Sequence, residues 1–340
     1  MRVLVTGGAG YIGSHAAKAL AEAGHEPVVF DSLRTGHRWA VQWGPFVHGD
    51  IRDVLLLAET MRAHAIDAVM HFAALADVPT AVAQPGLCWD INVTGTLALL
   101  SAMKLTGVDK IVFSSTCAVY GPSDDVPMTE ATAQNPISPY GHSKRAMEQI
   151  IAEHAAAYGF GGVALRYFNV AGADPDGDIG EEHAPETHLI PVVLEAAAGA
   201  RPFIAINGDD YPTNDGTCVR DYVHVADLAK AHVAALSTID GGTVAAFNLG
   251  TGHGYSVKEV IEAAERVTGR TIPVRNGPRR EGDPARLTAD ASAAQAKLAF
   301  DPNASALDTM IASTWRWMVE HRTGVRLPSM LDRGNRNRSI

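Results

Sequence analysis

A tyrosine and a lysine stand four residues apart at the start of a predicted helix. Ser138 is a favourable N-cap and Pro139 suits the first helical position, so the helix is expected to begin there. Tyr140 and Lys144 would then lie on one face of the helix, one turn apart. An ammonium group near a phenol favours the phenolate, so Lys144 could make Tyr140 a base near neutral pH. The pair taken alone is a weak signal, because such spacings also arise by chance.

A glycine-rich turn, TGGAGYIGS, follows the first predicted strand. Gly7, Gly10 and Gly13 allow a tight turn and let the backbone approach a pyrophosphate at the helix N-terminus. Asp31 ends the next predicted strand, where a carboxylate can accept hydrogen bonds from an adenosine ribose. Because a carboxylate also repels a 2′-phosphate, the pattern predicts NAD rather than NADP, although Arg34 and Arg38 nearby could favour the phosphate.

Hydroxyl residues end a further stretch, FSSTCAVYG, at residues 113–121. A strand there places Ser114, Ser115 and Thr116 at the carboxyl edge of a sheet, where ligands bind in open α/β sheets. Taken alone, these residues are better explained as a capped strand end. Together with the helix that follows, they predict a catalytic site. Thr116 would hold a substrate oxygen, Tyr140 would move its proton, and Lys144 would set the pKa of the tyrosine and bind the nicotinamide ribose.

A regular alternation of strands and helices would bring these residues together. Short β-rich runs alternate with helical stretches at residues 2–7, 27–31, 67–74, 110–115 and 162–169. The runs are continuously apolar, as expected for strands whose two faces are both covered by helices. The sequence therefore predicts an α/β fold with a doubly wound, Rossmann-like parallel sheet and a smaller mixed α/β substrate-binding domain.

The alternation breaks at a polar loop over residues 172–187, and mixed helices and short strands follow it. We therefore predict a dinucleotide-binding domain over 1–172, onto which segments near 219–250 pack back. A second domain, for the substrate, is predicted over 173–325, followed by a polar tail over 326–340.

The overall composition narrows the functional classes. A net charge of −10 and a pI near 5.7 argue against nucleic acid as a partner. Cys88, Cys117 and Cys218 are too few and too widely spaced for a disulfide framework, which suits a reducing compartment. Neither a signal peptide nor an apolar run of membrane-spanning length is recognisable, so a cytoplasmic protein without a membrane partner is predicted.

The sequence predicts no metal site. Its 14 histidines form no H-E-x-x-H motif, and a C-x-x-C motif is absent. His183 and His188 have no third ligand candidate at a suitable spacing. The acidic loop 174–186 lacks the EF-hand spacing for calcium and is expected to be a solvated surface. Cys117 has no evident histidine partner and is expected to be a packing residue.

Six motifs together point to one family: TGGAGYIG, GDIRD, HFAAL, FSSTCAVYG, SPYGHSK and LRYFNVAGADPDGDIGE. They resemble the extended short-chain dehydrogenase/reductases, and within these the chain is similar to the UDP-glucose (UDP-galactose) 4-epimerases. The resemblance extends from Met1 to about Trp317. Its most specific stretches are residues 209–229 and 279–290, which simple reductases lack.

The resemblance implies an NAD-dependent 4-epimerisation of a UDP-hexose through a transient 4-keto sugar. In this family a tightly held NAD⁺ takes a hydride from C4 and returns it to the other face, while tyrosinate removes the 4-hydroxyl proton. Thr116, Tyr140 and Lys144 match the catalytic positions. The resemblance also implies a homodimer formed through helices near 92–104 and 140–157, although their apolar faces could equally belong to the core.

The resemblance further implies the residues that bind each ligand. Those for the cofactor are Gly7, Gly10, Tyr11, Ile12, Gly13, Asp31, Ser32, Asp50, Ile51, Phe72, Ala73, Ala74, Asn92, Ser114, Tyr140, Lys144 and Phe168. Those for the substrate are Thr116, Asn169, His188, Leu189, Ala205, Asn207, Arg220, Arg280 and Asp283. Two arginines facing a diphosphate would explain how an acidic protein binds an anionic ligand. A surface ion pair of Arg220 with Asp221 or Asp227 is the alternative.

Departures from the family pattern leave the identity of the sugar in the substrate open. Thr116 stands where many members have serine, and His188 stands where asparagine often contacts the sugar phosphate. Ala76 replaces a lysine found in some members, and Leu287 replaces a tyrosine that can wall off the pocket. The substrate could therefore carry a hexose, an N-acetylhexosamine or a pentose.

Two other functions occur on the same fold. A dehydratase or decarboxylase needs an acid or base in the T-x-x-V-Y segment, and here Cys117 and Ala118 provide no carboxylate. A dinucleotide-sensing regulator would be expected to lose the Tyr140–Lys144 pair, which this chain keeps. The residues therefore favour the epimerase, since the fold alone separates none of these functions.

Overall fold

The computed structural model describes residues 1–123, 126–280 and 283–321. Its strands, in chain order, are β1 (Arg2–Thr6), β2 (Glu26–Asp31), β3 (Phe46–His48), β4 (Ala68–His71), β5 (Lys110–Thr116), β6 (Gly161–Tyr167), β7 (Asn169–Ala171), β8 (Ile204–Asn207), β9 (Val219–His224), β10 (Val244–Leu249), β11 (Gly254–Ser256), β12 (Val274–Gly277) and β13 (Arg286–Leu287). A seven-stranded parallel sheet has the order β10-β6-β5-β4-β1-β2-β3. This confirms the predicted Rossmann-like α/β fold.

The helices alternate with these strands. In chain order they are α1 (Tyr11–Glu22), α2 (Val54–Ala63), α3 (Val78–Ala83), α4 (Pro85–Trp89), α5 (Gly95–Thr106), α6 (Pro139–Tyr158), α7 (Leu189–Ala197), α8 (Val225–Leu236), α9 (Val257–Thr268), α10 (Ser292–Leu298) and α11 (Leu307–His321). A π-helical turn over Asp90–Thr94 leads into α5, where the sequence predicts a helix from residue 92. Helix α6 begins at Pro139 with Ser138 as its N-cap, as predicted.

Helices cover both faces of the central sheet. On one face α1 and α8 pack on the strands through residues such as Leu20 and Leu228. On the other face α2, α5 and α6 pack through residues such as Leu57, Leu99 and Met147. Because both faces are covered, the strands are buried over most of their length, which explains their continuous apolar character. The sequence does not predict β3, because three residues are too few to show a pattern.

A second core lies apart from the central sheet. It contains Ile190 of α7, Val260 of α9 and Met310 of α11. Strand β9 pairs with β7, β11 and β13, and β8 pairs with β12. The chain leaves the central sheet after β6 and packs on it again with α8 and β10. The domain limits at 172 and 325 remain predictions, and residues 322–325 with the tail 326–340 lie outside the described residues.

The strand order reverses between β1 and β4. From this point β2 and β3 continue to one side, and β4, β5 and β6 continue to the other. In open α/β sheets, ligands bind at the carboxyl ends of the strands beside such a switch point. The loops after β1, β2, β4, β5 and β6 meet at this edge and carry many of the predicted site residues. Across the described ranges, none of the helices has the length and apolar character needed to cross a bilayer.

Candidate active site

The glycine-rich turn after β1 approaches the loop after β4 closely. Gly7 has a φ of +74°, and a Cβ atom there would lie 2.6 Å from the Ala73 backbone nitrogen. A Cβ atom at Gly13 would lie 2.2 Å from the Gly7 carbonyl oxygen, so both positions need glycine. The turn leads into α1, whose N-cap, Gly10, has no side chain to bond the first N–H groups. Those N–H groups are therefore suited to bind an anion.

Asp31, at the end of β2, links the two turns that would face a dinucleotide. Its Oδ2 accepts a hydrogen bond from the Ala9 nitrogen at 3.0 Å, and its Oδ1 accepts one from the Leu33 nitrogen at 2.7 Å. Burial raises the pKa of Asp31, and these two hydrogen bonds oppose the rise. A carboxylate has more acceptor sites than the two in use, so ribose hydroxyls can still donate to it. The glycine turn and Asp31 together fit a dinucleotide.

The other predicted cofactor residues lie mainly on loops at the same edge of the sheet. They are Tyr11 and Ile12 at the start of α1, Ser32 after β2, Asp50 and Ile51 after β3, Phe72, Ala73 and Ala74 after β4, Ser114 near the end of β5, and Phe168 after β6. The Asp50 carboxylate pairs with Arg52, which lowers the pKa of Asp50 to about 2. The Asn92 amide bonds both backbone groups of Leu75 and so holds the loop after β4. Their cofactor contacts remain predictions.

The three predicted catalytic residues meet at the end of β5. Thr116 is the last residue of β5, and Tyr140 and Lys144 occupy the first turns of α6. The Lys144 ammonium group donates to the Ser114 carbonyl oxygen at 2.8 Å. Its nitrogen lies 5.9 Å from the centre of the Tyr140 ring. The Thr116 side chain interacts with the Tyr140 hydroxyl, so the predicted set is assembled at one place.

Burial is the largest influence on the ionisation of Tyr140 and Lys144. Burial raises the pKa of Tyr140 well above its usual value, and the contact with Thr116 opposes the rise. Burial also lowers the pKa of Lys144 to about 7, although Cys88 and Glu148 oppose this change. That Lys144 helps Tyr140 act as a base near neutral pH remains a prediction, and burial of both side chains opposes it. The reason is that loss of water penalises the phenolate and the ammonium ion alike.

Four of the predicted substrate residues form two pairs. The buried Arg220 of β9 forms an ion pair with Asp283, rather than with the acidic residues near it in sequence. Asp221 instead accepts hydrogen bonds from the backbone of the loop after β10. With its amide oxygen turned towards Arg280, Asn207 accepts hydrogen bonds from Nε at 3.1 Å and from Nη2 at 3.2 Å. Both guanidinium groups are thus held in place by protein acceptors.

The other predicted substrate residues lie on three elements. Asn169 begins β7, His188 is the N-cap of α7, and Leu189 is the first residue of that helix. Ala205 lies on β8, two residues before Asn207, and is exposed. The substrate contacts of these residues remain predictions.

Comparison with known proteins identifies the family. A profile of the NAD dependent epimerase/dehydratase family matches residues 3–250. A UDP-glucose 4-epimerase of Lacticaseibacillus casei is 50% identical over 326 residues, which are 95% of this chain and 98% of that protein. The chain belongs to the NAD dependent epimerase/dehydratase family. The resemblance inferred from the motifs is thereby confirmed.

Solved structures of similar proteins agree with this assignment to the epimerase/dehydratase family. The UDP-glucose 4-epimerase of Brucella ovis, in complex with NAD, is 51% identical, with a TM-score of 0.90 over 93% of this chain and 97% of that one. The UDP-glucose-4-epimerase of Stenotrophomonas maltophila, with bound NAD and formylated UDP-arabinopyranose, is 43% identical, with a TM-score of 0.90 over 94% of this chain and 98% of that one.

One cluster in this epimerase/dehydratase chain corrects the sequence analysis. Two histidines, His183 and His188, lie with Glu181 and Glu186, and one ligand-type atom from each lies within 4.8 Å of the others. The expectation that the histidines have no third ligand candidate is therefore wrong, because the irregular loop before α7 folds the carboxylates against them. Burial lowers the pKa of His183, but the two carboxylates more than reverse this and raise it to about 10. Two imidazolium ions would balance the two carboxylates in charge.

The acidic loop after β7 also differs from the expectation of a solvated surface. Lys18 of α1 donates to Asp174 and Asp176 at 2.7 Å each and to Asp178 at 3.2 Å. The Lys18 and Asp174 side chains are only 10% and 4% exposed. The ammonium group of Lys18 therefore supplies the positive charge at the centre of this loop, and it ties α1 to the segment that follows β7.

Two buried charged residues at helix α6 of this family member were not predicted. Glu148 of α6 and Arg166 of β6 form a buried ion pair. The signal that could have found them is an arginine, next to last in an otherwise apolar strand, GGVALRY. A charged group at such a position is seldom buried without a partner.

Proposed function

We propose that the protein is a UDP-glucose 4-epimerase, which interconverts UDP-glucose and UDP-galactose through a transient 4-keto sugar. The observation that carries the proposal is the meeting of Thr116, Tyr140 and Lys144 at the end of β5, at the edge of the sheet that also carries the glycine turn. The identity of 50% to a UDP-glucose 4-epimerase over nearly the whole chain supports the same activity.

NAD is the cofactor of the proposed reaction, and it supplies reversible hydride transfer at C4 of the sugar. The N–H groups at the start of α1 would bind its pyrophosphate, with Gly7 and Gly13 allowing close approach. Asp31 would accept hydrogen bonds from the ribose hydroxyls of its adenosine. These residues of the chain suit the dinucleotide in charge, shape and hydrogen bonding.

Tyr140 is the proposed base for the 4-hydroxyl proton of the sugar, and Thr116 holds the same oxygen. Burial opposes the phenolate, so Tyr140 needs nearby positive charge to lose its proton. The Lys144 ammonium group supplies one such charge, and a second would come from the oxidised nicotinamide of bound NAD⁺. The same Tyr140 returns the proton when the 4-keto sugar is reduced on its other face.

The diphosphate of the substrate is assigned to Arg220 and Arg280. Guanidinium groups suit phosphate oxygens because they present several N–H donors in one plane. Asp283 and Asn207 hold the two side chains and so reduce the ordering that binding requires. This local positive charge lets a chain of net charge −10 bind an anionic ligand.

We also propose a homodimer formed through α5 and α6. Leu97 and Leu105 of α5 are 41% and 58% exposed, and Tyr158 of α6 is 49% exposed. Large apolar side chains grouped on a surface are typical of an interface. In light scattering we expect twice the 36.0 kDa chain mass, and we expect Leu105→Glu to give one chain mass. An unchanged mass in the variant would contradict this interface.

The three free cysteines support the proposed cytoplasmic location.

The test of the proposed reaction uses the purified protein without added reductant. It is incubated separately with UDP-galactose, UDP-N-acetylgalactosamine and UDP-arabinose, and the products are separated by chromatography. Appearance of UDP-glucose from UDP-galactose is expected. A faster reaction of one of the other two sugars would change the assigned substrate. A product lighter by water or carbon dioxide, or no conversion while NAD is bound, would overturn the proposed activity.

A further inference from the structure

A buried ion pair lies directly beneath the catalytic helix α6. Arg166 of β6 donates from Nε to one oxygen of Glu148 at 3.0 Å and from Nη2 to the other oxygen at 2.7 Å. The two side chains are only 8% and 10% exposed. Glu148 stands four residues after Lys144 and eight after Tyr140, so the three share one side of the helix.

Glu148 attaches α6 to the strand that carries Thr116. The Ser115 hydroxyl donates to the Glu148 carboxylate, and the Lys144 ammonium group donates to the Ser114 carbonyl oxygen at 2.8 Å. Two successive turns of α6 are thereby bonded to two successive residues of β5, immediately before Thr116. These contacts fix the position of the helix along the strand.

Arg166 continues the connection to the segment that follows Thr116. Its Nη1 donates to the Tyr120 hydroxyl at 3.0 Å, and that hydroxyl donates to Asn248 at 2.6 Å. Tyr120 is fully buried at the end of the short turn after Thr116. The ion pair therefore holds the chain on both sides of Thr116, through Ser115 before it and Tyr120 after it.

Stability alone does not explain a buried ion pair in an apolar strand. Well-packed apolar side chains of similar volume are often at least as stabilising, because the free energy needed to remove two charges from water offsets much of their attraction. Apolar side chains cannot, however, form directional hydrogen bonds to particular atoms. We propose that Glu148 and Arg166 are positioning residues, which hold Tyr140 and Lys144 at the distance from Thr116 that proton transfer needs. This inference rests on the proposed epimerase function.

Glu148 also influences the protonation of Lys144. The titratable groups that face Lys144 are Tyr140 and Glu148 on its own helix, Cys88 on α4 and His71 on β4. Burial lowers the pKa of Lys144, and the carboxylate of Glu148 is one of the groups that oppose this change. Neutralising Glu148 should therefore make Lys144 lose its proton at a lower pH.

The first test separates positioning from stability in the NAD-loaded protein. Arg166→Met alone leaves a buried carboxylate without its partner and should lower the melting temperature. The double variant Glu148→Met/Arg166→Met carries no unpaired charge and should melt at a higher temperature than Arg166→Met. If the pair positions the site, kcat of the double variant still falls about 10²-fold while KM for UDP-galactose stays within about twofold. Recovery of kcat together with the melting temperature would overturn the proposal.

A second test keeps the inference falsifiable if the double variant does not fold. Glu148→Gln retains the size of the side chain, and the matched control is Glu153→Gln, an exposed glutamate of the same helix. We expect the alkaline limb of the kcat profile to move to lower pH in Glu148→Gln and to stay in place in the control. Identical profiles in both variants would overturn the inference. Failure of the parent itself to convert UDP-galactose would instead overturn the proposed function.

Discussion

The cofactor side and the substrate side of the candidate site are built in opposite ways. On the cofactor side, β1, α1 and β2 form one strand–helix–strand unit that carries the glycine turn and Asp31, and backbone N–H groups are the donors offered to an anion. On the substrate side, Arg220 pairs with Asp283 and Arg280 pairs with Asn207, which come from distant parts of the chain. The first side is thus set by local conformation, and the second is set by long-range packing. Variants should therefore affect the two sides independently.

The largest effect on turnover is expected from a substitution at Tyr140, where the cofactor side and the substrate side meet. Tyr140→Phe removes the proposed base and should lower kcat by about 10²-fold or more. Steady-state kinetics with UDP-galactose measure the change. Cofactor content and UDP affinity should remain close to those of the parent, since the glycine turn, Asp31 and the two arginines are unchanged. Tyr158→Phe, an exposed tyrosine of the same helix, is the matched control. Near-normal turnover of Tyr140→Phe would remove Tyr140 from its assigned role.

The next effect should be confined to the substrate side. Arg220→Met removes a charged donor from the proposed diphosphate site and should raise KM for UDP-galactose by about 10- to 100-fold. Cofactor content, measured by absorbance after denaturation, should not change. Arg266→Met is the control, because Arg266 forms an exposed ion pair elsewhere on the surface. Loss of NAD in Arg220→Met would show that the two sides are coupled, and it would contradict the expectation that variants affect them independently.

A smaller effect is expected on the cofactor side. Asp31→Asn weakens the acceptor offered to the adenosine ribose, so the Kd for NAD should rise by about tenfold. The affinity for UDP, measured by calorimetry, should stay the same. Asp67→Asn is a matched control, since Asp67 also accepts a backbone hydrogen bond but lies at the other end of β1. Equal NAD affinity in Asp31→Asn and the parent would exclude Asp31 from the cofactor site.

The smallest effect concerns the pH dependence of stability on the substrate side, in the loop before α7. Contacts with Glu181 and Glu186 raise the pKa of His183 to about 10 against the effect of burial. Because the pKa of His183 is higher in the folded state, its protonation stabilises the fold. This contribution is complete below the unfolded-state pKa near 6.5 and is lost as the pH rises towards 10. The free energy of unfolding should therefore fall more steeply between these pH values in the parent than in His183→Gln.

Urea unfolding at several pH values within this interval measures the difference. His253→Gln, which changes an exposed histidine, serves as the control. Equal slopes in the parent and in His183→Gln would contradict the ion pairing of His183.

Much of the framework and of the cofactor side could be predicted from the sequence, because the signals are local. A proline after a serine defines the start of α6 through backbone geometry and an N-cap bond. Continuous apolar runs indicate buried parallel strands, and only glycine tolerates the φ of Gly7 together with its contact with the loop after β4. Tyr140 and Lys144 share a helix face for the same reason, since their spacing matches one helical turn.

Only the tertiary structure decided which charged groups meet and which of them ionise. The partners of Arg220, Lys18 and Arg166 come from other elements, and no local rule specifies them. The four-residue cluster before α7 depends on the path of an irregular loop. The pKa of Tyr140 rises although Lys144 lies one turn away, because burial is a property of the whole fold. Local sequence thus determines backbone conformation, whereas solvation and charge pairing depend on residues that only folding brings together.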